Sequence, residues 1–290
     1  MTQKLTPLLD TLERVEAWTE QPVSIGAADS PDWFSAMDLM PADSERLAQS
    51  LAKQAIHHPQ MEARTRASYF IGEYSWYLPI VAIGAYLSER RVPNISPDNV
   101  LLRYNTYTWH HEGESGEAER IEVRLLHGHF ACLPDDPDAD HPLALVMSDE
   151  AGLLGWLRST LEAHLTPIVE RLFEQTRLSR HAQWCLVADS CAAQFLHLGK
   201  QMADESRGKS QGLAFIKAEQ SPMNNPKTSY VSLQYLDHIE TFRARGGCCR
   251  YYTVSETGKD YCTTCVLRKP EDRDARLLAY MKEKYKADDS

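Results

Sequence analysis

YFIGEYSWYLPIVAIGAYL, residues 69–87, is the stretch on which the fold turns, because it runs nineteen residues with Glu73 as its only charge. That is close to the ~20 apolar residues a bilayer span needs. Glu73, Ser75, Pro79 and several tyrosines interrupt it, however, and no second such stretch follows. It therefore reads as the core helix of a globular protein, kinked at Pro79, where an imino acid removes a helical donor.

Outward toward the N-terminus, MTQKLTPLLDTLERVEAW lacks the apolar core and small-residue cleavage site of a secretory signal. Leu5, Leu8, Leu9, Leu12 and Val15 recur at helical spacing instead. SIGAADSPDWF (24–34) is a turn-rich join, and Asp43-Ser44 opens a second amphipathic run that ends at His57-His58-Pro59. Toward the C-terminus the period changes. LLRYNTYTW (101–109) and IEVRLL (121–126) read as strands joined by the polar loop HHEGESGEAE, with HGHFACL continuing the same sheet and PDDPDAD a solvated turn. Helices are expected from an N-cap at Ser148, from Thr166-Pro167, and over 180–203, after which DESRGKSQG breaks the pattern. SYVSLQYL and HIETFRAR are strand-like runs parted by Asp237, and 271–286 forms a last charged helix. The expected class is α+β, predominantly helical, with a small antiparallel sheet. The expected division is a body over 1–240, a metal-binding segment over 241–270 and a charged, solvated helical tail over 271–290.

The 290 residues carry a formal net charge of -10, from 31 Lys and Arg against 41 Asp and Glu. That balance disfavours a nucleic-acid surface, which needs basic stripes, and a polybasic grip on anionic lipid. No Gly-x-Gly-x-x-Gly or P-loop pattern is present, so neither nicotinamide nor nucleotide binding is suggested.

Seven cysteines are present, and four fall in RARGGCCRYYTVSETGKDYCTTCVLRK (243–269): Cys248, Cys249, Cys262 and Cys265. Without a secretion signal, clustered thiols point to metal rather than disulfides. A two-residue gap lets Cys262 and Cys265 converge on one centre. Adjacent residues of a strand point to opposite faces, so Gly246-Gly247 is expected to supply the unusual backbone angles that turn Cys248 and Cys249 the same way. Four thiolates suit a [2Fe-2S] cluster and also structural zinc. Zinc sites more often show two separated Cys-x2-Cys pairs, so the adjacent pair favours iron. The segment holds six basic residues against two acidic ones, a surplus that suits an anionic centre. Cys132, Cys185 and Cys191 lie in apolar runs and read as buried small hydrophobes.

These residues resemble the C-terminal signature of the FhuF-like ferric-siderophore reductases, in which Cys-Cys-x10-Cys-x2-Cys binds a [2Fe-2S] cluster. FIGEYSWYLPIVAIGAYL resembles the family's central helix, and HAQWCLVADSCAAQFLHL the helix after its middle linker. Arg250-Tyr251 after the cysteine pair also fits. The likeness spans most of 60–268 and is specific only at the cysteines, where the spacer here is two residues longer. It implies one-electron reduction of Fe(III) held by a siderophore, with Cys248, Cys249, Cys262 and Cys265 as cluster ligands. Implied partners are a ferric siderophore, of the hydroxamate type given the acidic chain, and an electron donor such as a ferredoxin or a flavin-dependent reductase. The implied location is the cytoplasm or the inner face of the inner membrane. The alternative is a non-redox binding protein with a four-cysteine zinc site; an iron sensor would need a regulatory module that the sequence does not display.

Other residues carry weaker signals. His110 and His111, with His127 and His129 on the next run, read as solvated or structural rather than as a second metal site. His197 reads as a hydrogen-bonded core residue, and EQSPMNNPKT (219–228) as an ordinary loop with the option of bordering a siderophore pocket.

Overall fold

The computed structural model describes residues 6–111, 113–255 and 260–286. Helix α1 (Pro7–Thr19) buries Leu8, Leu12 and Val15 and leaves Leu9 toward solvent; Leu5 lies outside the described residues. Strands β1 (Val23–Ile25) and β2 (Phe34–Ser35) bracket the turn-rich join. Helix α2 (Glu45–Lys53) begins at Ser44, whose hydroxyl accepts the Leu47 N–H at 2.9 Å and satisfies one of the unpaired donors of a first turn.

Helix α3 (Ala63–Glu89) contains the apolar stretch, and every residue from Leu78 to Leu87 is buried. A helix apolar all round belongs in a core when other elements surround it, and α3 is packed by α1, α2 and the helices described below. Among the described residues no helix is long and apolar enough to cross a membrane. Pro79 sits inside the helix and cannot donate to the carbonyl of Ser75. The side chain of Gln194, fully buried, donates to that carbonyl at 3.2 Å and to the Trp76 carbonyl at 2.5 Å, so the defect is repaired from a neighbouring helix.

Strand β3 (Val92–Pro93) precedes a long hairpin of β4 (Val100–His111) and β5 (Glu114–Leu125). Its register runs from Val100 opposite Leu125 to His111 opposite Glu114. Most of the expected loop over 110–119 is therefore strand. The ladder continues past the core because backbone pairing does not need apolar side chains, and Gly113, at φ +85°, accommodates the turn. β1 joins β5 in parallel and β2 joins β4, giving the order β1-β5-β4-β2. β6 (Phe130–Cys132) does not extend this sheet, as expected of HGHFACL, but pairs with β3 and with β7 (Ala144–Val146) in a second one. Asn99 causes the departure: its amide accepts the His127 N–H and donates to the His127 carbonyl, turning the chain after β5.

Helix α4 (Glu150–Thr176) is capped by Asp149, whose carboxylate accepts the Gly152 N–H at 2.7 Å, rather than by Ser148. It runs through Pro167 instead of starting there. Leu157, Leu161, Leu165, Ile168 and Leu172 keep one buried face in phase across the proline, and that burial outweighs the ~3 kcal/mol a helical proline costs. Helix α5 (Arg180–Gln201) follows, with His197 exposed on its outer face beside Lys200 rather than in the core. The DESRGKSQG segment is not a break but the start of α6 (Glu205–Ile216), capped by Asp204. α6 crosses α5 closely: a side chain at Gly208 would meet the Phe195 carbonyl at 2.4 Å.

Strands β8 (Ser229–Tyr235) and β9 (His238–Ala244) form a separate hairpin, and α7 (Pro270–Lys284) ends the described chain. α7 is charged but not merely solvated. Leu277 and Met281 are buried, Tyr280 meets Phe242 edge-on at 6.1 Å, and Tyr285 stacks on His238 at 3.9 Å. The architecture is α+β and helix-rich, with small, mostly antiparallel sheets.

Candidate metal centre

β9 delivers the chain into Arg245-Gly246-Gly247-Cys248-Cys249 along the flank of α5, and a single buried carboxylate fixes that path. Asp189, 1% exposed on α5, accepts the N–H of Gly246 at 2.7 Å and of Gly247 at 2.9 Å. It also accepts the Thr228 hydroxyl at 2.8 Å and lies 3.4 Å from the Arg245 guanidinium. A buried charge survives only when paired and hydrogen-bonded, and this one meets both conditions.

The glycine pair works by close approach, not by unusual backbone angles. A side chain at Gly247 would sit 2.8 Å from the Leu186 nitrogen and 2.9 Å from the Cys185 carbonyl carbon; one at Gly246 would meet Asn225 and Thr228 at 2.3 Å. The left-handed residue falls instead at Arg250, with φ 61° immediately after the cysteine pair. Asn225 and Thr228 belong to the 219–228 loop, so that loop braces the glycines and the Asp189 carboxylate.

α3 holds the other side. The Ser68 hydroxyl donates to the Cys249 carbonyl at 2.9 Å, Thr65 bonds Thr253 at 2.9 Å, and Arg250 reaches Thr65 and Glu62. Cys262 and Cys265 sit in a tight turn closed by the Cys265 N–H to the Cys262 carbonyl. Arg268 clamps that turn by donating to the carbonyls of Tyr261 and Cys262.

All seven cysteines are free thiols, and Cys132, Cys185 and Cys191 are buried as expected. Cys265 is buried, while Cys248, Cys249 and Cys262 are half-exposed. Arg245 Nη1 lies 3.5 Å from Cys262 Sγ and 3.8 Å from Cys249 Sγ. The neighbouring Cys262 thiol, aided by Arg245, brings Cys249 below the usual thiol range. Cys249 in turn pushes Cys262 up, and burial pushes Cys248 up. Cys248 feels the charge of Cys265 and Cys249, and Cys262 that of Cys249 and Cys265, so the four sulfurs share one neighbourhood. They are gathered but not closed into a cage: among the described residues no three His, Cys, Asp or Glu side chains form a ready group for a metal ion. The donor chemistry fits a thiolate-ligated centre, with a cation already placed against two of the sulfurs. Part of the spacer, 256–259, lies outside the described residues.

The histidines are not brought together. His110 lies near the tip of the β4–β5 hairpin, and His127 and His129 lie past its base, with their rings 6.1 Å apart; eleven strand steps separate the two ends by roughly 35 Å. Asp189 went unread in the sequence because an acid in an apolar helix gives no sign of its partners. Its spacing from the glycines, 57 and 58 residues, follows no local pattern. Compared with family models and with curated proteins, the chain matches none.

Proposed function

We propose that the chain is a ferric-siderophore reductase of the FhuF-like kind, acting in the cytoplasm or at the inner face of the inner membrane. One observation carries the reading: four free thiols gathered after β9, two of them, Cys249 and Cys262, facing one guanidinium. Cys248, Cys249, Cys262 and Cys265 would hold a [2Fe-2S] cluster. When bound, that group supplies one-electron transfer, from a donor protein to Fe(III) in the chelate.

The residues of the chain set the conditions for it. Arg245 offsets negative charge at Cys249 and Cys262, and Asp189 keeps Arg245 in place while pinning the backbone before Cys248. Ser68 and Thr65 anchor the segment to the core helix. With no nucleotide-binding motif in the sequence, the donor is a separate protein such as a ferredoxin or a flavin-dependent reductase. The substrate is Fe(III) in an oxygen chelator, here a hydroxamate. One electron makes it Fe(II), which hard oxygen donors grip far less strongly. Iron then leaves, the oxygens take protons from solvent, and no bond of the ligand breaks.

The test is to purify the protein without air, reduce it with dithionite and add a ferric trihydroxamate. Reoxidation of the visible band, with Fe(II) trapped by a ferrous chelator, is expected. An intact reduced centre that the chelate does not reoxidise would end the reductase reading. Zinc in place of iron and acid-labile sulfide would make the four thiols a structural clasp in a binding protein.

A further inference from the structure

One cavity adjoins the turn that follows the cysteine pair. It is a cleft of about 590 Å³ between the end of α2, the start of α3 and the β4–β5 hairpin, within the ~300–1,000 Å³ ordinary for small-molecule sites. Tyr69 and Tyr251 line it, Tyr251 on the cysteine segment itself and Tyr69 next to Ser68, whose hydroxyl donates to the Cys249 carbonyl. Tyr69 is pushed up to about 12 by burial and then by Cys249, Tyr251 and Cys262, so its phenol is within electrostatic reach of two of the sulfurs. Tyr251 follows the cysteine pair by two positions and is exposed. An adjoining hollow of about 320 Å³ shares His57 and His58 with the cleft and reaches Thr253 and Ser255 on the same turn. By contrast, no described residue of the 245–269 segment borders the cavity near Trp18 and Arg207.

The charge of the cleft is one-sided. Among the described residues Lys53 is its sole lysine, and it is spent on Glu119, at 2.7 and 2.9 Å, while lying 4.6 Å above the Tyr104 ring. Glu73 and Glu117 line the cleft as well, Glu117 exposed opposite Thr108 and Glu73 accepting from Gln54 at 2.5 Å. Three carboxyl groups thus face one committed lysine, with His57 and His58 on the rim. Electron transfer needs a short gap between donor and acceptor, and a seat beside Tyr251, two positions after Cys249, favours one.

We propose that this cleft, walled by Tyr69 and Tyr251, is the seat of the iron chelate, and that Glu73 and Glu117 select neutral or cationic chelates over anionic ones. The inference rests on the reductase reading for its biological meaning, but its binding claim stands alone. Aromatic faces hold the organic shell of the chelate by apolar contact. The carboxylates attract a cationic chelate and repel a polyanionic one.

The test uses redox-inert gallium, so that binding is read without electron transfer. The air-protected full-length protein is titrated by calorimetry with Ga(III)–desferrioxamine B, a monocation, and with Ga(III)–enterobactin, a trianion. The monocation should bind at least about tenfold more tightly. Glu117→Gln, a surface change, and Glu73→Gln, which keeps an acceptor for Gln54, should together weaken it about tenfold and narrow the preference. No binding of the monocation, a preference for the trianion, or equal affinity in wild type and the double variant would each overturn the proposal. Iron, zinc and sulfide analysis of the same sample judges the reductase reading separately: zinc would end that reading, while the gallium titration still decides the cleft.

Discussion

The N–H of Gly247 donates to the carboxylate of Asp189 at 2.9 Å, joining residues 58 apart in sequence and placing the cysteine pair against helix α5. Gly246 shares the acceptor at 2.7 Å, so the carboxylate serves as a backbone anchor for the segment before Cys248. Replacing Asp189 with Asn points an amide N–H at one of these donors and leaves Arg245 without its partner. Asp189→Asn should cost about 2–5 kcal/mol, measured by urea denaturation, and should lower bound metal in the folded fraction.

The same contact makes the second glycine sensitive. A β-carbon at Gly247 would lie 2.8 Å from the Leu186 nitrogen, backbone that cannot swing aside. Gly247→Ala should cost about 1–3 kcal/mol. Gly72, within α3, has nothing within 4 Å of the added carbon, so Gly72→Ala should be neutral or stabilising by up to about 1 kcal/mol. Thermal melts of the two variants check the contrast.

Thiol replacements test the proposed ligands against the core thiols. Cys248→Ser or Cys265→Ser should bleach or shift the visible spectrum, and Cys185→Ser should leave it unchanged, since Cys185 is buried in α5. Unchanged spectra in both the Cys248 and Cys265 variants would refute the assignment.

Arg245 faces two sulfurs at 3.5 and 3.8 Å. A cation there favours the more negative, reduced state of any centre the thiols hold. Arg245→Gln should therefore lower the midpoint potential, by on the order of 50–100 mV, read by spectroelectrochemistry with the metal content unchanged.

His164 predicts a pH dependence. It is fully buried, with Nε2 2.6 Å from the Tyr74 hydroxyl and Nδ1 2.6 Å from the Ile95 carbonyl. Burial brings it from 6.5 down to about 4. The unfolded chain thus binds this proton first as pH falls below 6.5, and the fold loses stability until the folded group titrates near 4. The slope is up to about 1.4 kcal/mol per pH unit. Between pH 7 and pH 5 the urea midpoint should fall for wild type and fall less for His164→Gln. Equal slopes would show that other groups dominate this window.

Local pattern revealed a good deal of this protein. The apolar run of 69–87, the helical spacing of Leu8, Leu12 and Val15, the strand-like runs 229–236 and 238–245 and the Asp43-Ser44 start of α2 all read through because each depends on neighbours within a few residues. The misreadings share a different cause. Pro167 and DESRGKSQG carry breaker signals that packing overrides, in-phase leucines across the proline and glycine contact between α5 and α6. The polar half of the β4–β5 hairpin carries no apolar alternation, yet the ladder extends through it.

The four cysteines were legible because their chemistry and spacing lie within eighteen consecutive positions. What the sequence by itself determined is therefore the class of the fold and a set of four cysteines close along the chain. Only the tertiary structure decided what holds them: Asp189 and Leu186 from α5, Ser68 and Thr65 from α3, and the Tyr69 wall of the cleft. These contacts are made through space by residues whose separations along the chain obey no period, and a one-dimensional pattern holds no trace of them.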